Sequence, residues 1–265
     1  MTAGPSGLLH VERCMGTVFS IAVRDPGGWE DPVREVVGWL HRVDALFSTY
    51  RADSQISRLR RGELAVQRAD PLVREVLELC DHFEQQTGGA FSAHLPGGLD
   101  PTGLVKGWAI ERGSDILRRH GSRHHSVNGG GDLQLAGEAS PGQGWRVGIT
   151  DPHDAATVVA VVQGRDFAVA TSGTSERGAH ILDPRTARPA CELSSVTVVG
   201  ASLTQVDVYA TAAFAMGQRA VAWLQGRSDV ESLVISPDRT TFRTSRFETP
   251  VEDWLPRHRG RDGPR

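Results

Sequence analysis

Ser126-Val-Asn-Gly-Gly-Gly-Asp-Leu-Gln-Leu-Ala-Gly137 decides how this chain is read. A short apolar run breaks into three glycines and an acid, and a second apolar run follows. Glycines without a Cβ let backbone N–H groups approach a bulky anion. The plainer reading of the triplet is a hairpin or bulge. The chain has neither a GxxxxGK[ST] P-loop nor a GxGxxG fingerprint. Further short strands are expected at 125–127, 133–135, 145–149, 158–162 and 167–171.

Upstream, residues 8–23 read as a strand pair or one bent strand around Gly16. Asp31-Pro32 opens a helix with an acid at the N-cap and proline at its first position. Val33, Val36, Val37, Leu40, Val43, Leu46 and Phe47 keep one apolar face through it. Asp53 or Ser54 caps a short helix. Asp70-Pro71 repeats the acid-proline start, and Gly88-Gly89 closes that helix. Leu95-Pro-Gly-Gly98 is a turn. Helices are expected over 105–117, 203–216 and 219–224, and a hairpin over 233–244. Helices mix with antiparallel-looking hairpins and no βα rhythm repeats, so the fold class is α+β with mixed or antiparallel sheets and peripheral helices. One domain is expected over 1–256, followed by a frayed Arg/Gly-rich tail at 257–265.

The chain has 265 residues, 39% hydrophobic and 23% charged, with 30 glycines and 14 prolines. That is globular, turn-rich and long enough for a sizeable core. A formal net charge of −3 gives no whole-protein attraction to nucleic acid or anionic membrane. No apolar run approaches a membrane span. Cys14, Cys80 and Cys191 form no CxxC pair, which argues against a zinc ribbon, and their odd number argues against a disulfide framework. The first residues show no signal peptide, so a cytoplasmic setting is expected.

Asp207 and Thr211 lie four apart on an expected helix, so they share a face. A carboxylate and a hydroxyl there suit a hard cation such as Mg²⁺; alternatively Asp207 only favours the helix dipole. Asp100-Pro-Thr-Gly-Leu-Val-Lys-Gly107 leads into a helix whose first N–H groups face an anion, with Lys106 adding charge. The plain alternative is an ordinary cap and a solvated lysine. Thr171-Ser-Gly-Thr-Ser175 is a hydroxyl-rich turn. His180 beyond it suits a general base.

These pieces together resemble the ApbE family, the FAD:protein FMN transferases. The likeness runs from about Met15 to Gly217 and includes MGTVFSIAV at 15–23, FSTYRADSQISRLRRG at 47–62 and TGGAF at 87–91. It continues with DPTGLVKGWAIE at 100–111, VNGGGDLQLAG at 127–137, ATSG at 170–173, HILDPRT at 180–186 and VDVYATAAFAMG at 206–217. The resemblance implies an enzyme that binds FAD and Mg²⁺, transfers FMN to a threonine or serine hydroxyl of an acceptor protein, and releases AMP. Asp207 and Thr211 match the family's metal pair, with a backbone carbonyl at Gly103 as third ligand. Met15, Tyr50, Ala90 and Phe91 match positions lining the flavin and adenine pockets, where Tyr50 and Phe91 can stack on rings. Asp100, Lys106 and Leu182 match further FAD contacts, and His180 a histidine proposed to assist catalysis. Ser92 stands where the family usually has aspartate, and Thr186-Ala187 where it has Thr-Gly. Two other outcomes use the same site: an FAD pyrophosphatase, and a flavin carrier without turnover.

Overall fold

The computed structural model describes residues 7–174 and 181–255. Its frame is an eight-stranded sheet in the order β1-β2-β5-β6-β9-β12-β13-β14, antiparallel at every pairing. The strands are β1 (Leu8–Cys14), β2 (Thr17–Val23), β5 (His125–Gly129), β6 (Asp132–Ala136), β9 (Ala168–Gly173), β12 (Ser195–Gly200), β13 (Glu231–Ile235) and β14 (Thr241–Arg243). Three two-stranded sheets accompany it: β3 (His94–Leu95) with β4 (Gly98–Leu99), β7 (Trp145–Asp151) with β8 (Asp154–Gly164), and β10 (Leu182–Asp183) with β11 (Arg188–Pro189). The helices are α1 (Glu30–Phe47), α2 (Gln55–Arg60), α3 (Pro71–Gln86), α4 (Thr102–Arg119), α5 (Leu203–Met216) and α6 (Ala220–Gln225). The α+β expectation holds.

Two apolar cores hold this frame. The larger joins Phe19, Ile21 and Val127 of the sheet to α1, α3, α4 and α5. The smaller includes Leu135, Trp145, Phe167 and Leu233, with Phe247, Val251 and Leu255 from the segment after β14. Along β12, Val196 and Val198 enter the first core and Val199 the second. That strand is buried at every position, so it lacks the polar alternation that marks a strand in a sequence.

Local chemistry explains most boundaries. The Ser54 hydroxyl accepts the Ser57 N–H to start α2, and Asp70 accepts the Leu72 N–H to start α3, with Pro71 at its first position. Helix α1 departs from expectation: it begins at Glu30, with Asp31 and Pro32 inside its first turn and no side-chain cap. First-turn N–H groups have no intrahelical partner, so proline there costs no hydrogen bond. The glycine triplet is a hairpin. Gly129 ends β5, and Gly130 and Gly131, at φ +60° and +90°, make the two-residue turn into β6. Both positive φ values fit the turn type that follows strand twist and favours glycine.

Candidate functional site

Helices α4 and α5 meet face to face, and glycines set how closely. A Cβ on Gly107 would stand 2.8 Å from both Asp207 Cβ and the Leu203 carbonyl oxygen. One turn earlier on α4, a Cβ on Gly103 would lie 3.8 Å from Thr211 Cγ2. The four-residue spacing on α4 therefore meets the four-residue spacing of Asp207 and Thr211 on α5. Gly107 N–H, whose regular helical acceptor would be the Gly103 carbonyl, donates to Asp207 Oδ2 at 3.0 Å. Thr211 Oγ1 shares a hydrogen bond with Ser172 Oγ of β9 at 3.3 Å.

Asp207 is only 5% exposed. Burial pushes its carboxyl above the ordinary carboxylate range, against the opposing pull of the Lys106 ammonium and the Gly107 N–H. Lys106 Nζ lies 3.6 Å from Asp207 Oδ2 and also contacts Asp132 Oδ2. Asp132 is buried at the start of β6, directly after the glycine turn, and its Oδ1 accepts the Thr171 N–H at 3.1 Å. The triplet thus contributes a tight turn that delivers Asp132 to the lysine. Its N–H groups have protein neighbours as well: Gly130 N–H donates to the Val18 carbonyl and Gly131 N–H to Asn128 Oδ1.

Asp100 Oδ1 accepts from both the N–H and the hydroxyl of Thr102, so it caps the first turn of α4 from two residues upstream. Ala90 and Phe91 are buried. The Phe91 ring, 3% exposed, packs on Gly103 and forms a wall of the site, with no open face for stacking. Tyr50 stands at the other extreme, 98% exposed in the loop after α1. Met15 occupies the tip of the β1–β2 hairpin at φ +49°, where it lines an open pocket of about 520 Å³ with Arg13, His41 and Asp44. Leu182 is half-buried in β10. Beside it, Asp183 pairs with Arg185, which donates to the Ala215 carbonyl at the end of α5. His180 and the tail at 257–265 lie outside the described residues. Ser92 has local partners: its hydroxyl donates to Glu84 Oε2 and accepts the His94 N–H.

Gly103, Lys106, Asp207 and Thr211 therefore come together, with Phe91 and Asp100 bordering them. Sequence reasoning missed Glu111. Its Oε2 accepts from Ser202 Oγ, Thr204 N and Thr204 Oγ1, which clasps the start of α5 to α4. The available signal was its place four residues after Gly107 on the same helix face.

A metal here would rest on hard oxygens: the Asp207 carboxylate, the Thr211 hydroxyl and the Gly103 carbonyl. That donor set fits Mg²⁺. Among the described residues there is no cluster of three or more His, Cys, Asp or Glu side chains able to hold a metal.

Residues 15–96 and 92–234 match the family model described as the ApbE family. A Vibrio cholerae protein named FAD:protein FMN transferase is 33% identical over 279 aligned positions, covering 81% of this chain and 83% of the relative. The structure of the flavin transferase ApbE from Vibrio cholerae superposes with a TM-score of 0.80 at 23% identity, covering 91% of this chain and 98% of that one. The apo form of the Pseudomonas stutzeri flavinyl transferase ApbE gives 0.81 at 21% identity, covering 94% and 97%. At those identities the two structures speak for the fold. With the family matched over most of its length and a relative at one-third identity, this chain belongs to the ApbE family.

Proposed function

We propose that the chain is an FAD:protein FMN transferase that uses Mg²⁺ and modifies a threonine or serine of an acceptor protein. The observation that carries this reading is the α4–α5 contact, which gathers Gly103, Lys106, Asp207 and Thr211 at one point. The relative at 33% identity bears that enzyme's name. In the reaction, the acceptor hydroxyl oxygen bonds to the FMN phosphorus as the bond to the AMP oxygen breaks. The hydroxyl proton leaves, and AMP departs with the bridging oxygen.

Asp207, Thr211 and the Gly103 carbonyl would hold Mg²⁺, which when bound neutralises phosphate charge and stabilises the leaving group. Phosphoryl transfer depends mainly on positioning and electrostatics. Lys106 supplies a positive charge beside the same carboxylate. The exposed Tyr50 ring offers a face to an aromatic ring system. His180 takes the acceptor's proton in this reading. Met15, Ala90, Phe91, Asp100 and Leu182 shape the FAD pocket.

A cytoplasmic setting is part of the proposal, supported by three free cysteines, two of them buried. No helix of the described residues is long and apolar enough to cross a membrane.

The test is incubation with FAD and Mg²⁺, with and without a threonine-bearing acceptor peptide, followed by mass spectrometry. AMP together with an FMN-labelled peptide is the expected result. AMP without label would replace the transferase with an FAD pyrophosphatase. Tight FAD binding without AMP would make the chain a flavin carrier.

A further inference from the structure

One ammonium serves two buried carboxylates. Asp132 Oδ1 is engaged by the Thr171 N–H. Its Oδ2 is enclosed, and no donor of the described residues reaches it except the Lys106 ammonium. Asp207 Oδ2 has the Gly107 N–H at 3.0 Å and the same ammonium at 3.6 Å. Two negative charges thus share one positive charge, and an unpaired buried carboxylate is costly.

We propose that Lys106 is a resident cation of this site, one that bridges Asp132 and Asp207 in the absence of a divalent cation and competes with it for the Asp207 carboxylate. Asp132 is the berth that holds the ammonium when the divalent cation displaces it. The inference rests on the metal assignment of the proposed function. A divalent ion on Asp207 repels an ammonium a few ångströms away. The flexible four-carbon stem of lysine lets the charge withdraw, and Asp132 is already in contact with it. The competition is a coupling between two cations on one carboxylate, and it is reciprocal.

The test is Mn²⁺ titration of the metal-free full chain, without FAD, read as loss of the free-ion EPR signal. Asp207→Asn sets the background. Lys106→Met, which removes the competitor, should tighten Asp207-dependent binding by about 5- to 150-fold, the usual span of coupled ligand sites. Lys106→Gln should move the same way and guards against misfolding of the methionine variant. Asp132→Asn, which removes the berth, should weaken binding, and that effect should vanish in the Lys106→Met background. Equal or weaker binding by both Lys106 variants overturns the inference while leaving the metal assignment standing. Weakening by Asp132→Asn in the Lys106→Met background makes Asp132 a direct ligand and also overturns it. No Asp207-dependent binding in any variant removes the metal assignment itself, and the inference with it.

Discussion

Helix α4 carries a buried polar cluster at each end, and the two are built on opposite terms. Towards its C-terminus, Ser114, His125, Ser122 and Asp25 form a closed chain. Ser122 Oγ donates to Asp25 Oδ2 at 2.8 Å, so it must accept from His125 Nδ1 at 2.9 Å. His125 Nε2 then accepts from Ser114 Oγ at 2.8 Å. Burial pushes the imidazole down to about 3. Burial also pushes the Asp25 carboxyl up, but the His124 N–H, the Ser122 hydroxyl and the Arg123 N–H together hold it below the usual range. Every donor has an acceptor, and Ser114 and His125 are wholly buried, out of reach of any substrate. Towards its N-terminus, Asp207, Lys106 and Asp132 leave charge only partly balanced. A fully satisfied network fixes a fold, whereas buried charge short of partners marks a place where a ligand completes the set.

The comparison breaks first at His125. His125→Ala takes the acceptor from the Ser114 hydroxyl, leaves the Ser122 hydroxyl with Asp25 alone and opens a cavity, and should cost about 3 kcal/mol. Activity per folded molecule should stay unchanged. Chemical denaturation with a parallel assay checks both. The histidine is depressed from its ordinary 6.5 to about 3, so its contribution is present above pH 6.5 and is lost as pH falls through 3. The wild type should lose on the order of 4 kcal/mol over that window. His125→Gln should flatten the dependence.

Gly107→Ala attacks the other cluster through packing. Its new Cβ meets Asp207 Cβ and the Leu203 carbonyl at 2.8 Å, which should cost about 1–3 kcal/mol. Unlike His125→Ala, it should also weaken metal-dependent turnover.

Asp207→Asn should act with the opposite sign on stability. A carboxyl whose folded pKa is raised loses its stabilising share as pH rises through that pKa. At neutral pH the metal-free asparagine variant should therefore melt above the wild type. Each kcal/mol gained is worth about 2–4 °C in a chain of this size. A lower melting temperature would place Asp207 among the structural residues, beside Asp25. The smallest effect on stability belongs to Tyr50→Ala, within about 0.5 kcal/mol. The same variant should raise KM for FAD about 3- to 10-fold through lost stacking.

Much of this was legible in the sequence where local signals decide. Helix α5 falls on the expected residues 203–216, because Ser202 caps it and a mostly apolar stretch follows with no glycine or proline inside it. The Ser54 and Asp70 caps were readable for the same reason. Strand β12 was not, since burial on both faces removes its period. The glycine triplet left a hairpin and an anion cradle open, and the pairing of β5 with β6 selects the hairpin. The sequence singled out Lys106, Asp207 and the acid of the glycine stretch, Asp132, but not their meeting, which comes only through sheet register. The link from Asp25 to Ser122 and His125 spans about a hundred positions, so no local pattern announces it. Phe91 matched a pocket position, yet its place behind Gly103 depends on how α4 seats.

The most direct measurement is formation of FMN-labelled acceptor peptide by intact mass, comparing wild type and Asp207→Asn with and without Mg²⁺ at pH 7. The account predicts Mg²⁺-dependent labelling by the wild type and a loss of about 10²–10³-fold in the folded variant, the scale of one lost electrostatic contact to the transition state. Labelling by Asp207→Asn at the wild-type rate with the same Mg²⁺ dependence would contradict it.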